Sequence, residues 1–154
     1  MCVLEYEALA ESALKLLETG GGGHTAMQAM CRMLKERVPH YHWVGLYLTS
    51  RETPGLLELG PFAGEPTEHV AIPFGKGVCG SAVESGSTIV VDDVTHEDNY
   101  LACSLEVSSE IVVPIIKNGK VLGEIDIDSH DPAAFSEKDR RLLEKIARKL
   151  AGLL

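Results

Sequence analysis

Two cysteines and a short row of acids carry the chemistry this chain can offer. Cys79 lies in the run IPFGKGVCG and Cys103 in YLACSLEVSSEIVVP, both in the same third of a 154-residue chain that has 4 cysteines. Shortly afterwards the run GEIDIDS places Asp126 and Asp128 two residues apart, with Glu124 in the same phase. On a strand these three carboxylates point to one side. Such a row is either a solvated acidic edge or, in a pocket, a set of ligands for an ammonium group. Clustered carboxylates raise one another's pKa, so one of them can hold a proton near neutral pH. Thiols beside that cluster suggest sulfur redox chemistry on a small cationic or zwitterionic ligand. Cys103 falls in a loop-like stretch over 99–109, where reactive groups on a rigid scaffold are common. Cys79 falls at the start of an expected short helix, a place that lowers a thiol's pKa. Each cysteine has a plainer reading as a buried, inert residue. Glu110 opens a strand that should pair with the acidic one. Trp43 and Tyr47 share one face of a further strand, as core packing or as a flat aromatic wall for an S-methyl group.

The composition frames this chemistry. A chain of this length is expected to form one domain, residues 1–154, with 45% apolar and 24% charged residues as in soluble globular proteins. No apolar run approaches the ~18–20 residues of a membrane span. The beginning, MCVLEYEALAES, has acids where a secretory leader carries basic residues. A cytoplasmic protein is expected, with thiols kept reduced unless they do redox work. The net charge of −9 argues against nucleic acid and anionic membrane as partners. Cysteines at 2, 31, 79 and 103 give no CxxC and no zinc-finger spacing, so neither a metal nor another cofactor is expected. A Cys/His metal site made of His69, Cys79 and Cys103 is the weaker alternative, because its spacing fits no standard zinc pattern.

Periodicity supplies the elements that must position these residues. Apolar spacing predicts a helix over 4–18, ended by the glycine run 20–23. A second helix runs to about Arg37, with Thr25 and Gln28 resembling a capping box and Cys31 on its apolar stripe. Strands are expected over 41–49, 56–60, 69–74, 88–91, 110–116 and 120–128, with a short helix over 77–85. Asn118-Gly119 is a strong two-residue hairpin turn. Ser136 caps a final helix with Leu143, Ile146, Ala147, Leu150 and Leu154 on one stripe. The order implies an α+β domain: a central, mostly antiparallel six-stranded sheet with the N- and C-terminal helices packed on one face. Such helices often leave an apolar face for a second copy, so a homodimer is expected.

Taken together, the segments HYHWVGLYL, LGPFAGEP, IPFGKGVCG, LACSLEVSSEIVVP and GEIDIDS make the chain resemble the free methionine-(R)-sulfoxide reductases, a family built on the GAF fold. The resemblance covers about residues 5–154. It implies thiol-dependent reduction of free L-methionine-(R)-sulfoxide to methionine, through a Cys103 sulfenic acid and a disulfide, recycled by thioredoxin. It further implies that Cys103 is the nucleophile and Cys79 another active-site cysteine, that Glu110, Asp126 and Asp128 bind substrate, and that Trp43 and Tyr47 line its pocket. One position departs from the family pattern. Many members carry a resolving cysteine ten positions before the GVCG cysteine, where this chain has His69. Cys79 or an external thiol must then resolve the intermediate. The alternative is a catalytically degenerate GAF module that binds a small ligand, since the fold hosts sensors as well as enzymes.

Overall fold

The computed structural model describes residues 5–101 and 106–154. Two helices, α1 (Tyr6–Thr19) and α2 (Gly23–Arg37), precede the strands β1 (Trp43–Thr49), β2 (Leu56–Ala63) and β3 (Ala71–Pro73). Helix α3 (Gly77–Ser85) and strand β4 (Ile89–Val91) follow, then the long hairpin β5 (Ser109–Lys117) and β6 (Lys120–Ser129), and α4 (Glu137–Leu153) closes the chain. A single turn of 3₁₀-helix over Val94–His96 was not expected from sequence. The strands form one sheet in the order β3-β2-β1-β6-β5-β4, and every pairing is antiparallel. The expected α+β architecture and six-stranded antiparallel sheet are therefore present.

Strand alternation divides the core into two. Val44, Leu46, Ile111, Val113, Ile115, Ile125 and Ile127 point to one face, where α1, α2 and α4 cover them. Cys31 is fully buried in that layer, as its stripe position implies. Trp43, Tyr47 and Val112 point to the other face, beneath α3 and the segments around it, with Cys79 and Val83. Burying aliphatic side chains on one side stabilises the sheet by roughly 1.5–3 kcal/mol apiece. That stability leaves the opposite face free to carry polar groups.

The local signals were of unequal quality. Asn118 and Gly119 take φ of 52° and 77°, as the tight turn between β5 and β6 requires. At the start of α4 the Ser136 N–H and hydroxyl both donate to Asp139 Oδ2, at 2.8 and 3.0 Å. The expected capping box at Thr25 and Gln28 is absent. Helix α2 begins earlier, at Gly23, after glycines of positive φ. The Gln28 amide instead donates to the Phe62 carbonyl at 2.7 Å, tying the helix to β2. Among the described residues, no helix is long and apolar enough to cross a membrane.

Candidate active site

Register brings the sequence-predicted residues together. Across β1 and β6, Trp43 faces Asp128, Gly45 faces Asp126 and Tyr47 faces Glu124. Across β5 and β6, Glu110 faces Asp128. Three adjacent strands thus place two aromatics, one glycine and four acids on the same side of the sheet. Helix α3 closes over them. Its entry turn places Gly77 at φ of 65°, a conformation that suits glycine.

The acids do not form a solvated edge. Glu124 and Asp126 are 0% exposed, Asp128 2% and Glu110 4%. The side-chain oxygens of Glu124, Asp126 and Asp128 meet no hydrogen-bond geometry among the described residues. Burial lifts the Asp128 carboxyl well above the usual range, and the Asp126 charge adds to the rise. Burial likewise raises Asp126, against the pull of Glu110 and Cys79, and raises Glu124, against the pull of Cys79. One ligand atom from each of Cys79, Glu110 and Asp126 lies within 4.8 Å of the other two. Burying a carboxylate without a partner is costly, so burial favours the protonated forms of Glu124, Asp126 and Asp128.

Cys79 corrects one expectation. It is the third residue of α3, yet its thiol is pushed well up rather than down. Burial is the largest cause, followed by the charges of Asp126, Glu124 and Glu110. The helix terminus is outweighed. Cys79 is a free thiol whose sulfur donates to Glu110 Oε2 at 4.0 Å. Cys103 lies outside the described residues. Leu101, two positions before it in sequence, lines the same cavity as Tyr47, His69, Cys79, Glu110 and Asp126. Among the described residues, no lysine or arginine lines that cavity. His69 also presents its backbone carbonyl to the Tyr47 hydroxyl at 2.8 Å.

The aromatic wall is larger than the sequence indicated. Trp43 stacks on Phe62 with ring centroids 5.6 Å apart and planes 18° apart, and lies 6.3 Å from Tyr47. The Trp43 indole N–H donates to the Glu65 carbonyl at 2.9 Å, which fixes the ring. Gly45 makes room for it, since a Cβ there would stand 2.2 Å from a Trp43 ring carbon. Phe62, Gly45 and Asn99 were not anticipated. The Asn99 side chain accepts from Gly77 N–H at 3.0 Å. It donates to the carbonyls of Gly75 and Gly77 at 3.1 and 3.2 Å and to Ser81 Oγ at 2.9 Å. It therefore clamps the turn that launches the Cys79 helix. The glycine-rich turn GKG was the available signal that some side chain must satisfy its backbone.

Comparison with known proteins gives a consistent picture. A family model described as GAF domain matches residues 24–154. The chain is 46% identical over 108 residues to the free methionine-R-sulfoxide reductase of Saccharomyces cerevisiae, covering 70% of this chain. It spans 59% of that relative's length. The type II free methionine-R-sulfoxide reductase of Thermoplasma acidophilum, of known structure, is 42% identical, with a TM-score of 0.80 and 94% of each chain covered. The free methionine-R-sulfoxide reductase of Neisseria meningitidis, solved in complex with its substrate, is 34% identical with a TM-score of 0.89, covering 96% of this chain and 86% of its own.

Proposed function

The chain belongs to the free methionine-R-sulfoxide reductase family of GAF domains, and on that premise we propose that it reduces free L-methionine-(R)-sulfoxide to methionine. The observation that carries this reading is a cavity lined by the buried acids Glu110 and Asp126, with Asp128 buried beside them and no lysine or arginine in the described lining. A free amino acid supplies the missing cation. Its α-ammonium settles against Glu110, Asp126 and Asp128, and its S-methyl end lies along Trp43 and Tyr47. A peptide-bound methionine sulfoxide lacks the ammonium and would leave the Asp126 and Asp128 oxygens without a partner.

The Cys103 thiolate attacks the sulfoxide sulfur while a carboxyl of raised pKa protonates the departing oxygen. The protonated oxygen then passes to the Cys103 sulfur as the transient sulfur–sulfur bond breaks, leaving a Cys103 sulfenic acid and releasing the substrate as the thioether. Cys79 then condenses with Cys103, forming the disulfide and releasing water. Cys79 must give up its proton to attack, and that proton leaves with the sulfenic oxygen as water. A dithiol such as thioredoxin restores both cysteines by exchange, in a reducing cytoplasm. His69 cannot form a disulfide, so Cys79 takes the resolving role in this chain. The functional unit in this proposal is a homodimer.

A thioredoxin-coupled assay following NADPH tests the proposal. Free methionine-(R)-sulfoxide should be reduced, its N-acetyl derivative should not, and a disulfide joining Cys79 to Cys103 should appear in non-reducing peptide maps after one turnover. Equal turnover of the N-acetyl compound would remove the ammonium cage. Tight binding of the free sulfoxide without reduction by any dithiol would leave a ligand-binding module instead.

A further inference from the structure

The Cys79 sulfur, a Glu110 oxygen and an Asp126 oxygen lie within 4.8 Å of one another, all three residues buried. They come from α3, β5 and β6, so they converge from different directions rather than along one edge. The Cys79 Sγ to Glu110 Oε2 separation is 4.0 Å. A zinc-like ion with bonds of about 2.3 Å to sulfur and about 2.1 Å to oxygen sets that edge at about 3.6 Å in a tetrahedral site. A shift of about 0.4 Å brings that edge to the tetrahedral value, and the other two edges lie within 4.8 Å. A second observation points the same way. Asp126 is wholly buried and lines the cavity, and its oxygens have no hydrogen-bond partner among the described residues. Next along the strand, the oxygens of Asp128 are in the same condition and deepen the negative field. An acceptor aimed into a cavity with nothing to accept from requires a cation or a proton.

We propose that the reduced, substrate-free protein binds one thiophilic or borderline divalent cation, of the Zn²⁺ or Cd²⁺ class, through Cys79, Glu110 and Asp126, with water on the cavity side. The mixed sulfur and carboxylate set favours such ions over Mg²⁺ and Ca²⁺, which take oxygen ligands. Coordination deprotonates the Cys79 thiol and releases that proton to solvent. It also withdraws the thiol and two carboxylates from any other use, so the bound ion is an inhibitor. Ion and substrate ammonium become rivals for the same negative charge. That rivalry, unlike the site, rests on the substrate reading above.

The probe is Cd²⁺, titrated anaerobically into reduced protein carrying Cys2→Ser and Cys103→Ser, so that Cys79 is the thiol at the site and Cys31 stays sealed in the helical layer. One equivalent of Cd²⁺ should produce a thiolate-to-metal charge-transfer band, and Mg²⁺ in excess should not erase it. Adding Cys79→Ser should abolish the band. Asp126→Asn, nearly isosteric, should weaken binding by at least the roughly 10–100-fold that loss of even an outer-shell partner costs a metal site. Absence of a band in the parent protein would overturn the proposal before any site variant is made. A band that survives Cys79→Ser, or unchanged affinity in Asp126→Asn, would also overturn it. Displacement of Cd²⁺ by free methionine sulfoxide supports the site and the rivalry together. A band that the sulfoxide leaves untouched supports the metal site and counts against the substrate reading, so the two can fail separately.

Discussion

At the scale of single residues, the site is defined as much by what is missing as by what is present. Gly45 supplies no side chain, and the Trp43 ring occupies that space above the strand. Gly45→Ala should push the ring off its position and raise KM about tenfold, the equivalent of about 1.4 kcal/mol of binding, with a smaller change in kcat. Unchanged KM would mean that the ring does not meet the substrate. Asp128 is the converse case. Its carboxyl is buried beside another acid and satisfied by neither solvent nor a described donor. Asp128→Asn removes the cost of keeping that carboxyl protonated in the fold, so the free protein should gain about 1–2 kcal/mol in thermal unfolding while substrate affinity falls. A lower Tm in the variant would contradict the picture of acids held for a ligand. Both residues show what the sequence could convey. The acids were legible through their two-residue spacing, but the identical spacing fits a solvated edge, and only burial separates the two. Gly45 had no signal at all, because a strand glycine acquires meaning only from the neighbour that fills its space.

At the scale of elements, α3 is held by the buried face it lays on the sheet and, at its entry, by one amide. Asn99 satisfies backbone groups of Gly75 and Gly77 and the Ser81 hydroxyl together. It stands four positions before Cys103 in sequence, so it fastens the stretch leading to that cysteine onto the helix that carries Cys79. Asn99→Ala should cost about 1–3 kcal/mol of stability by leaving those groups unpaired. It should also slow disulfide formation between Cys79 and Cys103, lowering kcat more than it raises KM. Rapid-quench measurement of disulfide against free methionine separates that effect from simple unfolding, and normal disulfide kinetics in a folded variant would refute it. The helices, the long hairpin and its turn were readable from period and dipeptide. The Thr25 and Gln28 cap failed for a physical reason: the glycine run could itself adopt the positive φ needed to enter α2, and Gln28 found a better acceptor on β2. The pairing of Asn99 with the GKG turn joins residues distant in sequence, which no local pattern reports.

At the scale of the whole molecule, two titrating centres oppose each other across the sheet. On the helical side Asp139 Oδ1 accepts from Tyr6 at 3.1 Å and Tyr41 at 2.7 Å, and His40 lies at 2.9 Å. Burial alone would raise this carboxyl, but His40, the Ser136 N–H and Tyr41 together hold it below the usual range. A depressed folded pKa contributes stability above the unfolded value, about 3.9 for aspartate, and that stability is lost as pH falls through the lower folded value. Glu124, Asp126 and Asp128 have raised folded pKa values. Their contribution is complete below the ordinary carboxylate range and is lost as pH rises through the folded values. The ligand-free protein should therefore be most stable at mildly acidic pH. Asp139→Asn should flatten the acid limb of a stability-against-pH profile, and Asp128→Asn the alkaline limb. A wild-type profile that rises steadily toward alkaline pH would refute the assignment. The parity of the long hairpin carries an evolutionary corollary. Along 124–128 the even positions hold Glu124, Asp126 and Asp128, and the odd positions hold Ile125 and Ile127, which belong to the helical core. Point substitutions at even positions can retune ligand preference within an intact fold. A one-residue insertion or deletion in the same stretch exchanges the two parities, sending acids into the helical layer and isoleucines into the cavity. Descendants of this chain can diversify by substitution here, but the stretch 124–128 is closed to single-residue indels.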